Sequence, residues 1–176
     1  MYETVAGYSG GTTKNPNYHK IGDHMETIQI RFDPEILSFE ELLKIFWNEH
    51  DYSRQSASRQ YMNAIFYHSL EQKEMIEKSL KKLPGRVETK TAPYESFYPA
   101  EDYHQKFYLQ RYPEIKKEYL SFYVAFDAFV ASTSAARVNG FLGGYGNRSQ
   151  VDRILPELGL SSKSGELLLK KKGNVM

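Results

Sequence analysis

The chain has 176 residues, enough for one domain with a substantial hydrophobic core. Charged residues make up 26% and the net charge is +1, so no global electrostatic field favours nucleic acid or a membrane surface as partner. The absence of cysteine excludes disulfides, thiolate metal sites and thiol chemistry supplied by this chain. No apolar run reaches membrane-spanning length, and a disulfide-free chain of this kind is predicted to be cytoplasmic.

The first part of the chain alternates between predicted strands and helices. Residues 2–8 and 26–32 have strand character, and a polar loop from Thr12 to about Asp23 separates them. Ser38 followed by Glu41 is typical of a capping box, which predicts that a helix begins there.

A second strand–helix–strand succession follows. Residues 61–67 form an aromatic-rich predicted strand, with Tyr61 at its start. Ser69 with Gln72 predicts another capped helix, which runs to about residue 83, and residues 86–91 alternate as a short strand. This order of elements is typical of an α/β sandwich.

The rest of the chain is predicted to be helical. Residues 101–111 and 113–138 are the predicted helices, the pairs Asn139-Gly140 and Gly143-Gly144 mark a turn, and Ser149 is expected to cap a last amphipathic helix. We therefore predict an α/β domain over residues 1–112 and a helical extension over 113–176.

Three polar side chains suggest a chemical site. Glu26 begins a predicted strand, Tyr18 lies eight residues before it, and Tyr61 begins another strand. If they converge, a carboxylic acid and two phenols can donate hydrogen bonds to one oxygen that gains negative charge or a proton. For Glu26 to donate, its carboxyl must be protonated, which requires an apolar surrounding. Spacing alone leaves open the alternative that Glu26 is a solvent-facing residue at a strand edge.

Several short blocks resemble, in the same order, the peptide methionine sulfoxide reductases of the A type. The resemblance covers about residues 3–110, and colinear blocks are more specific than any single motif. The blocks are Gly7-Tyr8-Ser9-Gly10-Gly11, Asn15-Pro16-Asn17-Tyr18, Asp23-His24-Met25-Glu26, Gln60-Tyr61 and the stretch from Phe97 to Gln105.

The resemblance implies a fold, a site and an activity. The fold would be a ferredoxin-like α/β sandwich of the methionine sulfoxide reductase A type, without its first strand. The family's glutamate and two tyrosines hold the sulfoxide oxygen, and by position these are Glu26, Tyr18 and Tyr61. The supporting shell at the matching positions is His24, Ser56 (where the family has an aspartate), Asp102 and His104.

The implied activity is thiol-dependent reduction of peptide methionine-S-sulfoxide, which repairs oxidative damage. The implied partners are a peptide or free methionine sulfoxide and a thioredoxin-type reductant. No cofactor or metal is implied. His19 and His24 match no standard metal-ligand spacing, and Asp102 with His104 is better interpreted as a helix start than as a catalytic pair.

This sequence departs from the family pattern in its thiols. The family's Gly-Cys-Phe-Trp motif and its recycling cysteines have no counterpart here, and the loop between Tyr18 and Glu26 is shorter than usual. A thiolate is the group that attacks sulfur, so we predict that this polypeptide is inactive as written. We interpret it as a truncated form of a reductase, with a degenerate paralogue as the other explanation. A non-catalytic binding module for oxidised methionine or for a protein partner is the alternative function.

Overall fold

The computed structural model describes residues 3–173, and its contacts divide the chain into two compact units. The first unit comprises residues 6–100; the second comprises residues 101–173 together with residues 3–5. These units divide after Ala100 by their contacts, and the domain boundary expected at residue 112 stays a prediction.

Two small sheets are formed mainly by residues of the first unit. The five strands are β1 (Glu3–Ser9), β2 (Met25–Arg31), β3 (Ala64–Tyr67), β4 (Lys90–Pro93) and β5 (Phe97–Pro99). One sheet has the order β2-β1-β5, with β1 and β5 antiparallel and Tyr8 opposite Tyr98. The other pairs β3 with β4 in parallel. Parallel neighbours need a crossover, and here a helix supplies it.

That crossover is helix α2 (Leu70–Leu80), which packs against α1 (Phe39–Asn48). The predicted capping box of α1 is confirmed: Ser38 accepts from the Glu41 backbone, and the Glu41 carboxylate accepts from the Ser38 backbone. The buried side chains Leu43, Trp47 and Ile76 form the core between the helices and β3. The predicted mixed α/β class is confirmed.

Two local predictions in this unit are wrong. Tyr61 does not begin a strand; it ends a short 3₁₀ helix, Arg59–Tyr61, and the strand begins later at Ala64. The strand predicted over residues 86–91 lies over Lys90–Pro93. Its position is determined by pairing with β3 rather than by its own alternation.

The second unit is helical and has one continuous core. Its eleven core residues include Phe129, Leu109 and Leu168, all fully buried. The helices are α3 (Phe107–Gln110), α4 (Pro113–Phe122), α5 (Phe126–Ala131), α6 (Thr133–Leu142), α7 (Arg148–Ile154) and α8 (Ser162–Gly173).

Several helix ends that the sequence predicted in this unit are wrong. The single helix predicted over 113–138 is three helices, because the chain is extended at Tyr123 and at Ser132, whose hydroxyl caps α6. Asn139-Gly140 lies inside α6, and the predicted turn is formed by Gly143-Gly144 alone. Asn147, not Ser149, caps α7, through a capping box with Gln150. Within residues 3–173, no helix combines the length and apolar character needed to cross a bilayer.

Candidate functional site

Tyr18 lies on a tight turn that Asn17 organises. The Asn17 side-chain oxygen accepts from the backbone N–H groups of His19, at 3.0 Å, and Lys20, at 2.9 Å. The backbones of Asn17 and Lys20 also bond to each other. An asparagine that bonds its own following backbone is a common way to close a turn. The preceding Pro16 is buried, so the turn has a fixed base.

A carboxylate anchors the loop that precedes this turn. Asp23 accepts hydrogen bonds from both the backbone N–H and the hydroxyl of Thr12 and of Thr13, at 2.7–3.0 Å. These bonds, led by the Thr13 hydroxyl, hold the pKa of Asp23 well below its ordinary value. The loop therefore stays anchored as long as Asp23 is ionised.

His24 supports the same loop from inside. Its ring is fully buried; Nδ1 accepts from the Gly11 backbone N–H at 3.2 Å, and Nε2 donates to the Thr13 carbonyl at 2.8 Å. These partners indicate the tautomer with its hydrogen on Nε2. The ring also packs edge-on against Tyr98. The predicted supporting residue His24 thus orders the loop and does not face a ligand.

The 3₁₀ helix Arg59–Tyr61 is fastened to this loop. Arg59 Nη2 donates to the Gly10 carbonyl at 2.8 Å, and Arg59 Nε donates to the Asp23 carbonyl. Gln60 Nε2 donates to Glu26 Oε1 at 2.6 Å. Sequence analysis assigned no role to Arg59 or Gln60; Gln60 lay within a matching block, whereas nothing in the sequence singled out Arg59.

These supports bring Tyr18, Glu26 and Tyr61 together, and we call the three the acid–phenol cluster. The Tyr18 phenol, partial loss of hydration and the Glu26 charge raise the pKa of Tyr61 above its ordinary value, and the Tyr18 phenol contributes most. Tyr61 also shares a side-chain hydrogen bond with Tyr18. Tyr61 is therefore an O–H donor at neutral pH.

The cluster is open to solvent. Tyr18 is 38% exposed and Tyr61 is 55% exposed, and the Glu26 side chain is exposed as well. The apolar surrounding expected around Glu26 is not present among residues 3–173, since the Glu26 side chain is exposed. A ligand that contacts all three groups would itself replace part of the missing cover.

An apolar cavity of about 460 Å³ adjoins the cluster at Glu26. It lies within the first unit, and its walls come from β2, α1 and β3. The lining is mainly aliphatic and aromatic, and includes Ile30, Phe46 and Phe66. Gly10 lies beside Phe66 with φ +74°, and a Cβ there would fall 2.4 Å from the Phe66 ring.

The remaining predicted site residues lie elsewhere. Ser56 is half-buried in the loop before the 3₁₀ helix, where its hydroxyl accepts from the Ser58 backbone. Asp102 and His104 belong to the second unit, on a short 3₁₀ helix. Within the part of the chain that the structure describes, no three His, Asp or Glu side chains are grouped to hold a metal ion.

Comparison with known proteins identifies the class. The chain is similar to two solved structures: Mxr1 from Saccharomyces cerevisiae in its reduced form, with 25% identity and a TM-score of 0.54, and methionine sulfoxide reductase A of Corynebacterium diphtheriae, with 29% identity and a TM-score of 0.53. The matches cover 63% and 62% of this chain, and 71% and 63% of the respective structures. The fold is thus the mixed α/β fold of the methionine sulfoxide reductases.

The family model "Peptide methionine sulfoxide reductase" matches residues 1–137. A peptide methionine sulfoxide reductase of Drosophila melanogaster is 37% identical over 167 residues, which are 92% of this chain and 67% of the relative. One from Sulfolobus acidocaldarius is 44% identical over 115 residues, which are 58% of this chain and 65% of the relative. The chain belongs to the peptide methionine sulfoxide reductase family, and it spans about two thirds of the length of these relatives.

Proposed function

We propose that the acid–phenol cluster binds the sulfoxide oxygen of an oxidised methionine, in a free amino acid or a peptide. Within the family activity, thiol-dependent reduction of methionine-S-sulfoxide, these residues would supply the hydrogen bonds and the proton, and a thiol from outside these 176 residues would supply the attack. The observation that supports this proposal is the meeting of Tyr18, Glu26 and Tyr61, which are far apart in sequence.

The chemistry explains why both parts are needed. Attack of a thiolate on the sulfoxide sulfur, with protonation of the oxygen, transfers that oxygen to the thiol and gives methionine and a sulfenic acid. A second thiol then forms a disulfide and releases water. The departing oxygen becomes more basic as the sulfur–oxygen bond weakens. Donors aimed at that oxygen stabilise the transition state.

Three further parts of the proposal concern the reductant, the cellular location and the length of the whole reductase. We propose that a thioredoxin-type protein reduces the disulfide, that the protein acts in the cytoplasm, and that this chain is a shortened form of the enzyme. A binding module for oxidised methionine, without chemistry of its own, is the alternative function. Both candidates require the same recognition of the sulfoxide oxygen.

The first experiment is calorimetric titration of the chain with N-acetyl-methionine-S-sulfoxide amide, its R epimer and the unoxidised amide. We expect preferential binding of the S epimer, and a loss of about tenfold in affinity for Tyr18→Phe, Tyr61→Phe and Glu26→Leu, since each removes one hydrogen bond to the ligand. Tyr145→Phe, at an exposed tyrosine of the second unit, is the matched control. Equal affinity for all three ligands would contradict the proposal.

The second experiment is turnover. The chain with dithiothreitol and the S-sulfoxide should form no methionine above the background without protein, because no side chain of this chain can become a reducible sulfenate. Methionine formation that disappears in Glu26→Gln would show that the thiol nucleophile is not required from another polypeptide segment.

A further inference from the structure

We propose that Gln60 is a positioning residue for Glu26, and that its side-chain amide determines which carboxyl oxygen faces the ligand. This inference rests on the proposed function of the acid–phenol cluster. Under this proposal Gln60 contributes to the recognition of a sulfoxide oxygen, although it does not contact the ligand itself. It acts by fixing the orientation of the Glu26 carboxyl group.

The argument begins with the two oxygens of Glu26. Gln60 Nε2 donates to Oε1 at 2.6 Å, so Oε1 already accepts an N–H bond. A carboxylic acid carries its hydrogen on the oxygen that is not accepting a bond of this kind. The oxygen left to carry a proton, or to accept one, is therefore Oε2. The Gln60 bond therefore makes the two oxygens of Glu26 different before any ligand binds.

Packing does little to restrain the Glu26 side chain. It is exposed and stands at the start of β2, where a flexible side chain samples several rotamers. Fixing such a side chain only when the ligand arrives lowers affinity, because the lost rotamer freedom opposes binding. The Gln60 bond selects one arrangement before the ligand binds.

Gln60 can do this because its own backbone is fixed. The two Arg59 bonds join the 3₁₀ helix to the carbonyls of Gly10 and Asp23. The backbone N–H of Tyr61 bonds to the Ser58 carbonyl and closes the turn. The amide is thus supported from the same loop that leads into Glu26, and the two side chains keep their relative position.

The test compares Gln60→Met with Gln29→Met in the full chain. Methionine keeps the length of glutamine but removes the N–H donor, and Gln29 is on the same strand as Glu26 but outside the cluster. Titration with N-acetyl-methionine-S-sulfoxide amide should show about tenfold weaker binding for Gln60→Met, because the hydrogen bond that positions Glu26 is lost. The preference for the S over the R epimer should fall with it, whereas Gln29→Met should retain both.

A second measurement separates this inference from the proposed function. In the ¹⁵N spectrum of the unliganded chain, the Gln60 side-chain amide signals should move in Glu26→Gln, while those of Gln29 stay in place. Movement without any epimer preference in the unmodified chain would retain the Gln60–Glu26 pair and overturn the proposed function. Unmoved Gln60 signals, or unchanged epimer preference in Gln60→Met, would overturn the positioning role.

Discussion

The two units of the chain differ in how well their interiors are filled. The first has a core of three buried apolar side chains between its helices and an open cavity of about 460 Å³ beside the acid–phenol cluster. The second contains a continuous core of eleven buried residues. The unit that contains Tyr18, Glu26 and Tyr61 thus has the smaller hydrophobic core. The unit with the larger core contains none of these three residues.

This contrast suggests that stability and recognition have different sources. The second unit has the dense interior from which most folding free energy comes. The first orders its site with polar bonds instead, from Asp23, His24 and Arg59. Since 92% of the chain aligns with the fly relative, most of the helical unit is shared with that protein.

The largest expected effect is in the core of the second unit. Phe129 is fully buried beside Tyr119 and Phe126, so Phe129→Ala should lower the free energy of unfolding of this unit by about 3–5 kcal/mol. Hydrogen exchange of the backbone amides of α6 measures this change in the free energy of unfolding. Phe122→Ala, at an exposed phenylalanine, is the control and should change little. Equal effects would contradict the picture of a dense core.

A core residue of the first unit should show a smaller effect. Leu43 is buried but also lines the open cavity, so Leu43→Ala enlarges a space that water already reaches. We expect a loss of about 2 kcal/mol, near the lower end for such truncations. Hydrogen exchange of the α1 and α2 amides gives the value. A loss as large as that of Phe129→Ala would show that the first unit is packed as tightly as the second.

The third effect is a pH dependence confined to the second unit. Burial lowers the pKa of Lys106 to about 8 from 10.5, while its ammonium donates to the Thr4 carbonyl and hydroxyl. The unfolded chain then binds more protons between pH 8 and 10, so stability rises with pH there, by about 1 kcal/mol after allowance for residual solvent screening.

Above pH 10 the sign reverses, because burial raises the pKa of Tyr119 to about 12 and the unfolded tyrosine ionises first. Denaturation monitored by α6 amides at pH 7.5, 8.5 and 9.5 measures the rise. Lys106→Met should abolish it, and Lys163→Met, at an exposed lysine, should preserve it. A flat profile in the unmodified chain would contradict the burial of the Lys106 charge.

The smallest effect concerns the rim of the cavity. Ile28 lines it yet is 59% exposed, so Ile28→Thr should change stability by no more than about 0.5 kcal/mol. The same change should weaken binding of an apolar fluorescent dye to the chain, since it makes one wall polar. Ile36→Thr, at an exposed isoleucine outside the cavity, should leave dye binding unaltered.

The sequence predicted some parts of this structure because the signals were local. The Ser38 capping box needs only residues three apart, and the predicted helix begins where expected. The family and the mixed α/β class were predicted from colinear blocks and are confirmed. The strand predicted at Tyr61 was wrong because a 3₁₀ helix fastened by Arg59 to distant carbonyls replaces it, and such bonds leave no periodic pattern.

The helical unit was predicted least accurately for a related reason. The breaks at Tyr123 and Ser132 occur without proline or glycine, and tertiary packing determines them. Gly140 suggested a turn, but it lies inside α6, where an added Cβ would meet no neighbouring atom. The hydrogen bond between Gln60 and Glu26 could not be predicted from the sequence either, since the partner of a side-chain amide depends on the fold.

The glycine at position 10 has a consequence for the variation that this family member tolerates. Its left-handed backbone strains any L side chain, and the Phe66 ring occupies the space where that side chain would begin. Replacing Phe66 by a smaller residue removes one contact, but Met25 Cε, 2.7 Å from the Cβ position, and the backbone strain both remain. In a saturation library selected for sulfoxide recognition, we expect codon 10 to return glycine alone, even in a background where position 66 is alanine.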